Sequence, residues 1–198
     1  ITDFDVVAWV KGEMYSKLHE EIGRAILIGD GRLSSSDDKI QETHVRPIWT
    51  DDDLFTVKRE ITAGATEGET ASNLIDDTIR ARKEYKGSGN PTLFTSEDVL
   101  AEMLLLKDKN GIRLYKSVDE LATAMRVSKI VTVPQFDGNL TRENTASNKK
   151  DTFTLKAIMV NLVDYTVGAD KGGAVSMFDD FDIDYNQMKY LIETRCSG

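Results

Sequence analysis

The chain has 198 residues, 40% of them hydrophobic, with 34 acids against 25 Lys and Arg and a net charge of −9. That is an ordinary globular composition, long enough to bury a core. The negative balance opposes nucleic-acid binding by phosphate neutralisation, no apolar run approaches the ~20 residues of a membrane span, and the single Cys196 rules out an internal disulfide.

The strongest signal comes first. Phe4, Val7, Val10, Met14, Leu18, Ile22, Ala25 and Ile26 recur at steps of three and four, which predicts one apolar stripe on a long helix. Thr2 or Asp3 caps its start. Gly29-Asp30-Gly31 ends it, since glycine takes the left-handed conformation needed past a helix end. Such a helix is roughly 35–40 Å long, and it reads as a strut reaching out of the domain that follows. Val7, Met14 and Leu18 are therefore expected to be partly exposed in a single chain. With no leader-like segment and no initiating Met ahead of the helix, the chain reads as a fragment.

Residues 32–53 are polar around a short apolar island, Val45 to Trp49, and are expected to form a long loop with one short strand. Leu54-Phe55-Thr56-Val57 predicts a strand. After a break at 64–68, Thr70 or Ser72 is expected to open a second helix running to about Tyr85. From Thr92 the signals alternate. Thr92 to Thr95 reads as a strand, and Ser96 caps a helix whose Val99, Leu100, Met103, Leu104 and Leu106 are expected to be well buried. Ile112 to Tyr115 is a strand candidate. Ser117 and Glu120 form a capping-box pattern ahead of a short helix, and Lys129 to Val133 is a strand. This order predicts a sheet covered by helices. Residues 137–151 are expected to be a mobile surface loop and Thr152 to Val167 one long strand. Val175 to Tyr185 is expected to be a half-exposed strand with Asp180, Asp182 and Asp184 outward. Gln187 to Arg195 is read as the last strand, with Tyr190, Ile192 and Thr194 on one face.

No residue is assigned a catalytic, cofactor-binding or metal-binding role. His19-Glu20-Glu21-Ile22-Gly23 begins like a zinc-protease helix, but Gly23 stands where the second histidine belongs. His44 lies in a polar loop without a Cys or His nearby. Gly29-Asp30-Gly31 follows a helix instead of a strand, so it is a cap and not a dinucleotide loop. Asp180, Asp182 and Asp184 have the opening spacing of a calcium loop, yet its glycine and closing acid are replaced by Tyr185 and Leu191. Asp51-Asp52-Asp53 reads as loop, able at most to hold a hard cation weakly. Ser147-Asn148-Lys149-Lys150 has a Ser-x-x-Lys spacing but sits in the most polar loop, away from the rigid helix start such a nucleophile needs. Asn139-Leu140-Thr141 fits a glycosylation acceptor. The basic patches Arg80-Ala81-Arg82-Lys83 and Lys149-Lys150 lack interleaved aromatic stacking platforms.

Three stretches together resemble the major capsid proteins of tailed bacteriophages, the Hong Kong 97 fold. Ile1 to Arg32, with Glu20 to Gly31, resembles the family's long spine helix and its Gly-rich exit. Thr92 to Gln135, with Leu105-Leu106-Lys107-Asp108-Lys109-Asn110-Gly111, resembles the axial-domain run of strand, Leu-rich helix, short helix and strand. Ala157 to Gly198, with Tyr165-Thr166-Val167-Gly168 and Glu193-Thr194-Arg195-Cys196, resembles the return into the peripheral-domain strands. The resemblance implies an α+β chain: a spine helix at 1–29, an axial domain at 30–176 with a central mixed β-sheet flanked by helices, and peripheral return strands at 177–198. It implies a structural subunit of an icosahedral shell, assembling as hexamers and pentamers around double-stranded DNA, with no enzyme activity and no cofactor. Scaffold, portal and maturation protease would be its partners in the full-length context. Its place would be the virion capsid, after assembly in the host bacterial cytoplasm. The family's N-terminal arm and extended loop are not among these residues. An acidic wall would also limit trapping of packaged DNA, since like charges repel. Two other readings stand beside this one. The first is an encapsulin-type bacterial nanocompartment, which shares the fold. The second is an unrelated α/β enzyme or binding module with its site in the loops at 32–53 and 137–151.

Overall fold

The structure, a computed structural model, describes residues 3–29, 37, 40–41, 43–136, 141–143, 152–170 and 173–198. Helices and strands are both substantial, and the chain is of the α+β class. It divides into two compact units, one of Ile1–Asp52 with Thr166–Gly198 and one of Asp53–Tyr165.

In the first unit, helix α1 runs over Asp3–Leu27. Its stripe residues Val7, Val10, Met14, Leu18 and Ile22 are each half-buried, while Trp9 between them is 65% exposed. Past Val6 the first buried side chains are those of Leu27 and Ile28. There Gly29 takes a left-handed φ of 87°, and its N–H reaches back to the Arg24 carbonyl at 3.1 Å. A side chain at that φ would be strained, which is why glycine ends the helix. The end of α1 is further held by Ile48 N–H on the Ile26 carbonyl (2.9 Å) and Trp49 N–H on the Leu27 carbonyl (3.0 Å). The island Val45 to Trp49 is thus a run of turns bonded to a helix end, not a strand.

The remainder of this unit is β. Numbering strands along the whole chain, β6 (Gly168–Ala169) pairs antiparallel with β9 (Cys196–Ser197). The longer pair is a hairpin of β7 (Ser176–Asp182) and β8 (Gln187–Glu193), in register over seven residue pairs from Ser176↔Glu193 to Asp182↔Gln187. Asn186 closes the turn at a φ of 51°, a conformation asparagine tolerates better than most residues.

The second unit is built on β1 (Thr92–Thr95). It pairs parallel with β2 (Ile130–Thr132) and antiparallel with β5 (Ala157–Val160), a mixed three-stranded sheet in the order β2-β1-β5. Parallel strands need a long crossover, and here it carries helices α3 (Glu97–Leu105) and α4 (Val118–Met125). Helix α2 (Glu67–Ala81) precedes the sheet. These elements close one core, in which Leu93, Met103, Leu121 and Met125 are at most 1% exposed. Thr95 is equally buried and satisfies its hydroxyl on the Lys156 carbonyl at 2.8 Å, as a buried polar group must. Away from this sheet, β3 (Thr141–Glu143) and β4 (Thr152–Thr154) form a small antiparallel pair.

Several expectations are corrected. Leu54-Phe55-Thr56-Val57 is turn and irregular backbone, with Leu54 81% exposed. Aromatic and β-branched residues favour a strand only where a sheet face receives them. Helix α2 begins earlier than Thr70, because Thr66 is the cap and its hydroxyl accepts the Glu69 N–H at 3.2 Å. In α3 only Leu100 and Met103 are buried, and Leu105 is 47% exposed. Ile112 to Tyr115 is not a strand. The Asp108 carboxylate accepts the N–H groups of Asn110 and Ile112, which tightens the turn until a single Lys107↔Arg113 bridge remains. Thr152 to Val167 is broken into β4, β5 and a 3-10 turn at Leu162–Asp164. Of the predicted loop at 137–151, Thr141–Glu143 is strand, and residues 137–140 and 144–151 lie outside the described residues.

Candidate functional site

The β7–β8 hairpin has two unlike faces, because side chains alternate along each strand. Met177, Asp179, Tyr190 and Ile192 share the face turned to α1. Lys11 of α1 lies 5.2 Å above the Tyr190 ring, with its ammonium 3.8 Å from the Asp179 carboxylate. Tyr190 and Ile192 are half-buried there, as is Thr194 beyond the strand, which agrees with the face expected for them. The opposite face carries Phe178 directly across from Leu191, and the two are 54% and 57% exposed. Asp180 opposite Lys189 comes next, and a shallow groove of about 480 Å³ runs over these residues.

The predicted outward aspartates are therefore only partly right. Asp182 is the shielded member, its side chain 13% exposed and ion-paired with Lys189. Ile183 and Tyr185, which alternate with the aspartates in the sequence, lie in the turn at 83% and 72% exposure. The physical reason is that the strand ends at Asp182, so the alternation stops before it reaches them.

A polar clasp sits in the second unit. The Asp164 carboxylate accepts the Ser88 N–H (2.8 Å) and the Ser88 hydroxyl (2.5 Å). Asn161 donates to the Ser88 carbonyl at 2.8 Å, and the Tyr85 hydroxyl donates to the same carbonyl at 3.2 Å. The Ser88 hydroxyl, then its backbone N–H, holds the Asp164 carboxyl below its ordinary value of 3.8. Burial, followed by the charge of Asp164, pushes the Tyr85 phenol up. The clasp fixes the 3-10 turn that displays Leu162 and Val163, the latter 84% exposed. Its sequence signals were Gly87-Ser88-Gly89 and Asn161-Leu162-Val163-Asp164, two loop motifs far apart in the chain. An ion network lies elsewhere in this unit, with Arg59 bridging Glu84 (3.0 Å) and Asp77 (3.5 Å).

The residues weighed for chemistry are scattered. His19 is an exposed residue of α1, and His44 lies in a turn where its carbonyl accepts the Gly198 N–H at 2.8 Å. The Asp51 carboxylate is held by Arg46 at 2.6 Å and Asp53 by Lys58 at 2.9 Å, so two of the three carboxylates in that run are paired with cations. Arg82 stacks 5.0 Å from the Tyr85 ring, while Arg80 and Lys83 each lie 3.8 Å from an acid, Asp77 and Glu84. Asp30, Gly31, Asn139, Leu140 and Ser147 to Lys150 lie outside the described residues. Among the described residues no three or more His, Cys, Asp or Glu converge to hold a metal, and no helix is long and apolar enough to cross a membrane. What the surface offers instead is apolar area on a regular hairpin laid against a long helix. No protein family, curated protein or solved structure matches the chain.

Proposed function

We propose that this chain is a structural shell subunit of the tailed-phage major capsid type, with the Hong Kong 97 fold. It assembles as hexamers and pentamers into an icosahedral head around double-stranded DNA. In this reading α1 is the spine helix, β7 and β8 are peripheral-domain strands, and the mixed sheet with α2, α3 and α4 belongs to the axial domain. The observation that carries the proposal is α1 itself. It is 25 residues long, and from Val7 to Ile26 its stripe is nowhere fully buried. Half-covered apolar stripes and exposed apolar patches mark surfaces that other chains cover. Phe178, Leu191 and Val163 add further apolar area of that kind. The proposal includes no catalytic role.

The test is assembly. The chain in its full-length context, expressed alone and with its scaffold, is examined by negative-stain electron microscopy and sedimentation velocity. Closed shells or capsomer rings are the expected result. A species that stays monomeric at every concentration and salt tested overturns the proposal. Recovery of shells loaded with a cargo enzyme in place of DNA would assign the chain to the encapsulin-type compartments.

A further inference from the structure

The turn that follows α3 holds a reactive pair. Of the eight asparagines in the chain, Asn110 alone precedes a glycine. Asparagine is thermolabile, and a following glycine has no Cβ to shield its backbone nitrogen. Both residues are exposed, Gly111 takes a φ of 80°, and nothing lies within 4 Å of where its Cβ would stand. Asp108 braces the pair. Its carboxylate accepts the Asn110 N–H at 2.8 Å and the Ile112 N–H at 2.9 Å, and its carbonyl accepts the Gly111 N–H at 3.0 Å. The Asn110 side-chain nitrogen lies 3.4 Å from the second carboxylate oxygen. Beyond the brace, the Leu114 N–H bonds to the Leu106 carbonyl at 2.9 Å.

We propose that Asn110 is a site of self-modification, converting to aspartate and isoaspartate at a rate set by the Asp108 brace, and that the conversion opens this turn. The Gly111 nitrogen gives up its proton and bonds to the Asn110 side-chain carbonyl carbon. The bond from that carbon to the side-chain nitrogen breaks, and the nitrogen leaves with the proton as ammonia, which closes a five-membered imide. Water then adds to either imide carbonyl. Opening at the side-chain carbon restores the ordinary backbone with an aspartate, and opening at the main-chain carbon leaves isoaspartate. One water enters, one ammonia leaves, and nothing is oxidised or reduced. In the closed turn the Gly111 N–H is held by the Asp108 carbonyl, so the attack waits for the turn to open. The product then carries a carboxylate in place of the amide beside Asp108, and two like charges that close disfavour reclosing. Other asparagines lack this combination. Asn90 precedes Pro91, whose nitrogen has no hydrogen, and the amides of Asn73 and Asn161 are bonded to the Thr62 and Ser88 carbonyls.

The full chain is held in warm, mildly alkaline buffer and mapped by digestion and mass spectrometry, with chromatography separating aspartate from isoaspartate peptides. Conversion at Asn110 ahead of Asn73 and Asn161 is the expected result. An Asn110 amide as persistent as that of Asn73 overturns the proposal. Asp108→Ala, checked for folding by circular dichroism, should convert about fivefold faster, the factor for one net hydrogen bond lost from the turn. An unchanged or slower rate there overturns the brace as the control. Hydrogen exchange at the Leu114 N–H reads the consequence. It should run about fivefold faster in Asn110→Asp than in the parent, and close to the parent rate in Asn110→Ala, which cannot cyclise and adds no charge. Equal exchange in those two variants overturns the charge-driven opening.

Discussion

Replacing Leu121 by Ala probes the core of the second unit most directly. Leu121 is 0% exposed in α4 and packs in one cluster with α2 and α3 residues, Leu74 and Met103 among them. The change removes three carbons, about 2.4 kcal/mol at ~0.8 kcal/mol per buried methylene. The cavity left in a cluster spanning three helices brings the total to about 3–4 kcal/mol. Leu105→Ala is the matched comparison. The chemistry is the same, but at 47% exposure about half of the side chain is in water already, and the expected cost is about 1 kcal/mol. Urea unfolding followed by far-UV circular dichroism reads both, since Trp9 and Trp49 lie outside residues 53–165. With the urea dependence unchanged, the midpoint should fall well below the parent for Leu121→Ala and only slightly for Leu105→Ala. A difference between the two variants under about 0.5 kcal/mol would refute the core assignment, because burial is the only thing that separates them.

Three further outcomes are expected. Arg126 ends α4 at a left-handed φ of 59°, with Val127 N–H bonded back to the Ala122 carbonyl at 3.0 Å, so Arg126→Gly should stabilise by about 0.5–1 kcal/mol and raise the melting temperature. Gly12 lies in mid-α1 with open space where a Cβ would go, so Gly12→Ala should raise stability by about 0.5–1 kcal/mol in thermal melts followed by circular dichroism. The Asp164 carboxyl is depressed below 3.8 in the folded chain, so its contribution is complete above that pH and is lost as pH falls through the lower folded value. Acid titration of stability should therefore be shallower below pH 3.8 in Asp164→Ala than in the parent.

Local signals were readable in the sequence where they were self-contained. The 3.6-residue stripe of α1, the glycine at its end, the Ser96 cap and the Ser117 cap need only neighbouring residues, and each is found where the pattern put it. The two helices between β1 and β2 followed from the order of the signals, though the parallel pairing of those strands did not. What could not be read was tertiary. Alternation in β7 gives a period but not a side, and both of its faces hold apolar residues; α1 decides which face is covered. Leu54 to Val57 has strand composition but no sheet face to fill it out. The cap of α2 shifted to Thr66 because Thr70 was drawn to other work, its hydroxyl accepting the Gly64 N–H at 3.0 Å and donating to the Thr66 carbonyl at 3.1 Å. The Ser88–Asp164 clasp joins loops that have no sequence proximity, so neither loop announced the other.

The division of the chain also sets a timetable. Residues 53–165 form one uninterrupted unit, whereas the other is assembled from what lies before and after it. During synthesis α1 leaves the ribosome before residues 53–165, but the hairpin whose Tyr190 meets Lys11 is made after them. The inserted unit can finish folding while α1 still waits, since domains fold as their residues emerge. An apolar helix that completes its packing only after the inserted unit has been made is a hazard for premature sticking, and also a checkpoint: a product truncated before Gln187 cannot display the finished hairpin face to a neighbour.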